Sequence, residues 1–489
     1  MQTFANRGKP SRGIAIILTT LTVSVTLPLV GLGFDVGTLY LIKSKLGAAA
    51  DSAALAGARA LSQGANAAAQ TANAVLTAQN YFSGNFPTAY WNTKGASATA
   101  AVDDTSTPYY RTVTVNATVQ APLYFLRVLN QQYSTITVSA QAGRHDVLLM
   151  MVLDRSSSMN AVVAGTGQTA CALMQADASA FVNFFAPGRD QLGLVAFGSS
   201  VYLYPSTTSF TTPDANGNTI QSLIHQLTCG ANTSSAAAIT AAYKELQRVD
   251  NPQRMNVIMF VTDGRPNGIA ADFTTLVSDS CAAVSGPLKG VVAQWAGGAW
   301  TTGPTAGLMP FATTSITFPN DSNPIPGVTN CKFSGGVLNV SQDIQNLPTS
   351  DLNGNSTTGP YSQLNSATWP YTTPFNPIGG VQSPQQIVIG SANAVDNAAT
   401  QIRSDTTLNP YIYDIALMGN GPPNDMPDTL LLQKMANDPA MAGEAGIAQT
   451  FYQMQIGQPH GISLIAPDAA YLASAFDTIA TQITIRLSQ

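Results

Sequence analysis

At 489 residues the chain is long enough for two or three domains with a sizeable core. Only 10% of its residues are charged, the net charge is −5, and no basic cluster stands out, which excludes a nucleic-acid-binding surface. Gly, Pro, Ser, Thr, Asn and Gln fill the polar positions instead.

The first element is apolar. Residues 13–34, GIAIILTTLTVSVTLPLVGLGF, carry no charge; as a helix they cover roughly 33 Å, enough to cross a bilayer. Arg7, Lys9 and Arg12 precede the run and Asp35 closes it, so the positive-inside rule keeps residues 1–12 as a cytoplasmic tail and exports the rest. A cleaved signal peptide would have a shorter apolar region, about 7–15 residues, and a small-x-small site close behind it, so an uncleaved anchor is expected. Cutting after Gly13 would put Leu18 where a type IV prepilin carries Glu, so prepilin processing is not expected. The expected location is a bacterial inner membrane, crossed once, with the bulk of the chain periplasmic or extracellular.

A long helix is expected next, over about 36–82. Leu39, Ile42, Leu46, Ala49, Ala53, Ala56 and Ala60 recur at alternating steps of three and four, a heptad seam whose small residues suit either a second helix, in an oligomer, or packing within the chain. Residues 111–119 and 135–140 alternate with the period of half-buried strands. A membrane-rooted helix followed by a small sheet has a pilin-like α+β outline over 35–143.

From 144 onward strands alternate with helices, which predicts an α/β, Rossmann-like domain with a parallel sheet covered by helices on both faces. Strands are legible at 147–153, 192–197, 256–262 and 411–418, and helices at about 169–186, 234–249, 391–404, 428–437 and 467–487. Between 264 and 390 the rhythm stops, so this stretch reads as a long insertion. Cys171, Cys229, Cys281 and Cys331 all lie beyond the apolar run; in an oxidising compartment they form two disulfides with three pairings open, one of which staples the insertion through Cys281 and Cys331.

The strand VLLMMVLD ends at Asp154, with Ser156 and Ser158 in the following loop. In an open parallel sheet ligands gather beyond the carboxyl ends of the strands. A second strand, NVIMFVTDG, also ends in an acid, Asp263, and the loop CGANTSSAAAI brings Thr233 just before a helix. Two carboxylates and three hydroxyls make an all-oxygen set suited to a hard divalent cation, Mg²⁺ above all, with Mn²⁺ and Ca²⁺ also tolerated.

DRSSSM, Thr233 and VTDGRP resemble the metal-ion-dependent adhesion site of von Willebrand factor type A (vWA) domains. The resemblance implies that Ser156, Ser158 and Thr233 touch the metal, that Asp154 and Asp263 act partly through water, and that one coordination position stays open for a partner's carboxylate. Thr233 follows Gly-Ala-Asn rather than the family's Gly-Gly, so Thr228 and Ser234 stay open as alternatives. With both loops meeting at the metal, a Cys171–Cys229 bridge would fasten them together. The segment GFDVGTLYLIKSKLGAAADSAALAGARAL resembles the N-terminal segment of TadE/TadG-like proteins of the Tad (Flp) pilus assembly system, with Asp35 and Asp51 matching, and the C-terminal stretch APDAAYLASAFDTIATQITIRLSQ is similar to the last helix of TadG-type A domains. The layout implied is a tail at 1–12, a transmembrane helix at 13–34, a TadE/G-like helix with a small sheet at 35–143, and a vWA domain at 144–489 interrupted by 264–390.

The function implied is a membrane-anchored component of pilus assembly whose exported vWA domain binds other pilus-assembly or envelope proteins through the metal. The alternative is a surface adhesin gripping a host or matrix ligand through the same site. A Mg²⁺-dependent hydrolase is a third reading, disfavoured because His145, His225 and His460 are scattered and no acid–base side chain stands beside the site. Two phrases, PDANGNT at 213–219 and SDLNGNST at 350–357, open like calcium loops but lack the sixth-position Gly and the closing Glu; turns are expected there.

Overall fold

The computed structural model describes residues 12–163, 165–273, 288–293, 313, 316, 347–359, 384–418, 426–443 and 454–485. The chain divides into two units, the first holding residues up to Gln63 and Ala68–Arg144, the second Gly64–Ala67 and the chain from His145 on.

The N-terminal unit begins with α1 (Arg12–Ala60), which runs through Pro28 without ending. Its polar side chains are satisfied locally: the hydroxyls of Thr20, Thr22 and Thr26 each donate to the carbonyl one turn back at 2.8 Å, as a helix in lipid requires. The continuous helix expected over 36–82 is corrected. The chain leaves α1 at Ala60, turns through Gly64 at φ 142°, a conformation open to glycine, and restarts as α2 (Ala67–Asn85). Three strands follow, β1 (Lys94–Thr107), β2 (Tyr110–Pro122) and β3 (Tyr133–His145), in the order β1-β2-β3, with β1 and β2 antiparallel.

The heptad seam has its partner inside the chain. Ile42, Leu46, Ala49 and Ala53 are buried in one core with Ala74, Ala78 and Phe82 of α2 and Val113, Val115 and Val119 of β2. A Cβ on Gly57 would meet Val113 at 2.9 Å and Ala78 at 3.1 Å, so the small residues bring α2 and the sheet close, and the expectation of an oligomer through this seam is withdrawn.

The C-terminal unit contains, in chain order, β4 (Val147–Asp154), α3 (Ala170–Phe181), β5 (Gln191–Phe197), β6 (Val201–Thr207), α4 (Ile220–Gln226), α5 (Ser235–Val249), β7 (Met255–Thr262), β8 (Gly268–Phe273), β9 (Leu288–Ala293), α6 (Pro384–Arg403), β10 (Tyr411–Leu417), α7 (Thr429–Ala436), β11 (Ser463–Ala466) and α8 (Ala469–Ile485). Six strands make one sheet in the order β11-β10-β7-β4-β5-β6. Five of them are parallel; β6 departs from the expected pattern by returning antiparallel along β5. It is an edge strand carrying Pro205, whose missing N–H an edge tolerates.

All eight residues of β4 are buried, and they alternate between two cores. Val147, Leu149, Met151 and Leu153 pack with α3, α4 and α8 on one face. Leu148, Met150 and Val152 pack with α5, α6 and α7 on the other. A strand covered on both sides has no polar face, which is why its sequence is a continuous apolar run. Within the expected insertion, β8 and β9 form an antiparallel pair, and α6 starts at Pro384, earlier than the expected 391. Cys281 and Cys331, and most of 264–390, lie outside the described residues.

Candidate metal centre

The chain passes from β4 to β5 on one side and later returns to β7 on the other, so the carboxyl ends of β4 and β7 flank the point where the strand order reverses. Asp154 ends β4 there, wholly buried. Its Oδ1 accepts the N–H of Ser156 at 2.7 Å, and its Oδ2 accepts the hydroxyl of Thr262, the last residue of β7, at 2.5 Å. The Ser156 and Ser158 hydroxyls lie 2.9 Å apart, and Ser158 donates to Oδ1 of Asp263 at 2.6 Å. Asp154, Ser156, Ser158 and Asp263 are thus brought together from two strand ends. Ser156 and Asp263 are buried while Ser158 is half-buried, so solvent reaches the cluster over Ser158.

Thr233 sits in a segment tied to every loop around the cluster. The N–H of Gly230 donates to the Arg155 carbonyl at 2.7 Å, and the N–H of Ser157 donates to the Ala231 carbonyl at 2.9 Å. Thr233 itself donates its N–H to Oδ1 of Asn267 at 2.7 Å, while its carbonyl accepts from the N–H groups of Asn267 and Gly268. Among the described residues, its hydroxyl takes no part in the chain of hydrogen bonds from Asp154 to Asp263. Of the two alternatives, the Ser234 hydroxyl donates to the Ser199 carbonyl at 2.9 Å, toward the β5–β6 turn. Thr228 stands one residue before the half-cystine Cys229.

Cys171 and Cys229 are joined in a disulfide with their Cα atoms 6.3 Å apart. The bridge ties the first turn of α3 to the Thr233 segment, and Asn160 reinforces it by donating to the Cys229 carbonyl at 3.1 Å. Sequence reasoning missed Thr262 and Asn267, the side chains that orient Asp154 and Thr233. Thr262 was within reach: it ends β7 as Asp154 ends β4, and the two strands are neighbours whose ends lie level.

The other candidates separate cleanly. Asp214 Oδ1 accepts the N–H groups of Asn216 and Asn218, and Asp351 Oδ1 those of Asn353 and Asn355. Both calcium-like phrases are therefore turns closed by their own aspartate. Burial pushes the Asp351 carboxyl up. His225, on α4, shares a hydrogen bond with Ser179 of α3 at 3.1 Å, His460 lies 3.4 Å from Asn437, and burial lowers the His145 imidazole below its usual range. Asp51 is exposed. Asp35 is buried, and its carboxylate accepts the N–H groups of Tyr124, Phe125 and Leu126.

Residues 149–265 match the family model of the von Willebrand factor type A domain, and residues 13–60 match that of the putative Flp pilus-assembly TadE/G-like family. The chain joins a TadE/G-like segment to a vWA domain. No curated protein matches it. Among solved structures it is similar to the PilB minor pilin from Streptococcus sanguinis, at 14% identity over 82% of this chain and 80% of that one, with a TM-score of 0.36. It is also similar to the vWF domain of the type V pili tip protein Mfa5 from Porphyromonas gingivalis, at 15% identity over 70% and 97%, TM-score 0.36. The pilus adhesin SpaC from Lactobacillus rhamnosus GG matches at 12% identity over 80% of this chain but only 34% of its own length, TM-score 0.36. The TadE/G-like match and the long apolar helix near the N-terminus, the one such helix among the described residues, fit a membrane-anchored protein.

The cluster's donor set fits a hard divalent cation. Among the described residues no group of three or more His, Cys, Asp or Glu side chains is placed to hold a metal, so the candidate ligands are hydroxyls and carboxylates. Neighbouring oxygens around an octahedral Mg²⁺ at about 2.1 Å lie roughly 3 Å apart. The 2.9 Å separation of the Ser156 and Ser158 hydroxyls, the two expected ligands that the structure brings together, is close to that spacing.

Proposed function

We propose that this chain is a membrane-anchored component of Tad/Flp pilus assembly, held in the inner membrane with its N-terminus cytoplasmic, and that its exported vWA domain binds a protein partner through a divalent cation. The observation that supports this reading best is the contiguous oxygen cluster of Asp154, Ser156, Ser158 and Asp263, carried on the same chain as a TadE/G-like membrane segment.

In this reading Ser156, Ser158 and Thr233 hold Mg²⁺, while Asp263 orients the Ser158 hydroxyl, Asp154 holds the Ser156 loop through its N–H, and both balance the charge. The cation supplies a Lewis-acidic point charge with fewer protein ligands than it requires, and a partner's Asp or Glu completes the shell. Ser158 marks the open side because it is the solvent-reached member of the set. Without a cation, the hydroxyl protons of Ser156 and Ser158 lie within the chain of hydrogen bonds. A hydroxyl has one proton to donate and two lone pairs, so Ser156 and Ser158 could keep these hydrogen bonds and still offer oxygen to a cation. Nothing in this use of the site requires a bond of the partner to be broken.

Complementing a strain that lacks the gene with the Asp154→Ala chain tests the proposal. Loss of pili, with the variant still in the membrane fraction, is the expected result; normal pili would contradict it. Digestion of the vWA domain by protease added to intact cells would favour an adhesin.

A further inference from the structure

Asp35 closes the apolar run in sequence, but its charge does not face outward. The carboxylate is buried and accepts three successive N–H groups, from Tyr124 at 2.8 Å, Phe125 at 3.1 Å and Leu126 at 2.8 Å. These residues open a short 3-10 helix, Leu126–Leu129, in the β2–β3 connection. The docking continues one turn deeper. The Phe125 ring occupies the place where a Cβ on Gly31 would be, and Phe34 meets the Tyr124 and Phe125 rings edge-on at 5.7 and 5.8 Å. Gly31 is the residue that lets an aromatic ring lie against the backbone of the membrane helix.

The rest of this connection is apolar and uncovered. Val128 is 85% exposed, Leu129 71% and Phe125 47%, with Arg127 exposed between them. Phe125 adjoins α1 at Gly31 and Phe34, within the stretch whose exposed apolar side chains run from Ile16 through Leu32 and Phe34. With the Asp35 charge hidden, the outward surface stays apolar through Val36, Tyr40 and Leu41 as far as Lys43. Gly31 lies about 5 Å along the helix below Phe34. Whether the bilayer boundary is set near Phe34 or nearer Leu41, the Phe125 ring lies at or beneath it.

We infer that the Tyr124–Leu129 connection is a second membrane contact, in which Phe125, Val128 and Leu129 enter the exported leaflet beside α1 and Arg127 reaches the lipid headgroups. This rests on the reading of α1 as a membrane span. The occupant is lipid rather than a protein because the connection is seated on α1 at Gly31, Phe34 and Asp35, at the end of the apolar surface that the bilayer covers, and its own exposed side chains are apolar. An apolar loop entering the interface to a depth of about 5–10 Å beside an arginine has the composition of interfacial anchors. Asp35 makes the arrangement tolerable, since a carboxylate at this depth needs its lone pairs filled, and the three N–H groups, which would otherwise meet lipid, need an acceptor.

The test uses the full chain reconstituted in phosphatidylcholine–phosphatidylglycerol vesicles, with Val128→Trp at the exposed tip and Val23→Trp as a control in the span. The emission added over wild type is measured against lipids brominated at shallow and deep acyl positions and against aqueous iodide. The expected result is at least a twofold stronger quenching of the Val128→Trp emission by shallow bromolipid than by iodide. Quenching by iodide alone, or by neither agent, would overturn the inference, placing the loop in water or under protein. If Val23→Trp also escaped the bromolipids, the membrane-span reading itself would fail. A Val23→Trp emission quenched by deep bromolipid beside an unquenched Val128→Trp emission would overturn only the loop contact.

Discussion

Asp35 and Asp154 occupy the same kind of place in their own units: each ends an apolar run, and each is buried. Their partners differ. Asp35 is filled by three backbone N–H groups from one connection, donors that cannot turn away without unfolding the loop. Asp154 takes one backbone N–H and one hydroxyl, and beside it stand the hydroxyls of Ser156 and Ser158 with the Asp263 carboxylate. Hydroxyl protons rotate, so the oxygens around Asp154 can be presented to a cation. A carboxylate saturated by backbone is architecture; one with hydroxyls beside it is what the proposed cation site requires.

The largest effect should come from emptying the first carboxylate. Asp35→Ala leaves three partly buried N–H groups without their acceptor, each worth at most about 1–3 kcal/mol, so the N-terminal unit should lose about 4 kcal/mol. Denaturant unfolding in detergent micelles measures this, and Mg²⁺ affinity should be unchanged. At the site end, stability comes from a covalent tie. Converting Cys171 and Cys229 both to Ser opens a disulfide-closed loop with a sequence separation of 58 and should destabilise the vWA domain by about 2–4 kcal/mol, read as a lowered thermal midpoint.

Asp154→Ala should leave the fold largely in place but weaken cation binding by about 100-fold, the upper range for a residue that orients metal ligands. An equal loss of stability in Asp35→Ala and Asp154→Ala would erase the contrast between the two carboxylates. The smallest effect concerns a third acid. Partial burial pushes the Asp177 carboxyl of α3 up to about 6, with Asp477 of α8 adding to the shift. Because the folded-state value is raised above the unfolded one, stability is greatest below about pH 4 and falls as pH rises toward 6. Asp177→Asn should therefore stabilise the domain at pH 7, by about 1 kcal/mol or less after allowing for solvent screening, and should do so less at pH 4; melting curves at the two pH values check this.

The two regions were not equally legible. The strand β4 and the acid at its end could be read because a doubly covered strand is apolar throughout and a polar stop is conspicuous. The Asp-x-Ser-x-Ser spacing places both hydroxyls in one loop, and the structure places them 2.9 Å apart. By contrast β1, KGASATAAVDDTST, is built of small residues, β6 carries a proline and β11 has only four residues, so none gives a firm period. The role of Asp35 was illegible for a different reason. Its partners are some 90 residues away in sequence and are backbone groups, which leave no mark in side-chain identity. The break after Ala60 was hidden because alanine-rich sequence favours helix on both sides of Gly64.

The central claim is that the Asp154 cluster is a cation site. Calorimetric titration of Mg²⁺ and Mn²⁺ into the detergent-solubilised full chain, beside the Asp154→Ala variant, tests it most directly. The account predicts one saturable site in the wild type that is lost or weakened by about 100-fold in a variant that still unfolds cooperatively. A folded wild type that takes up neither cation, or a variant that binds them equally well, would contradict it and leave Asp154 as a carboxylate that only holds its loop.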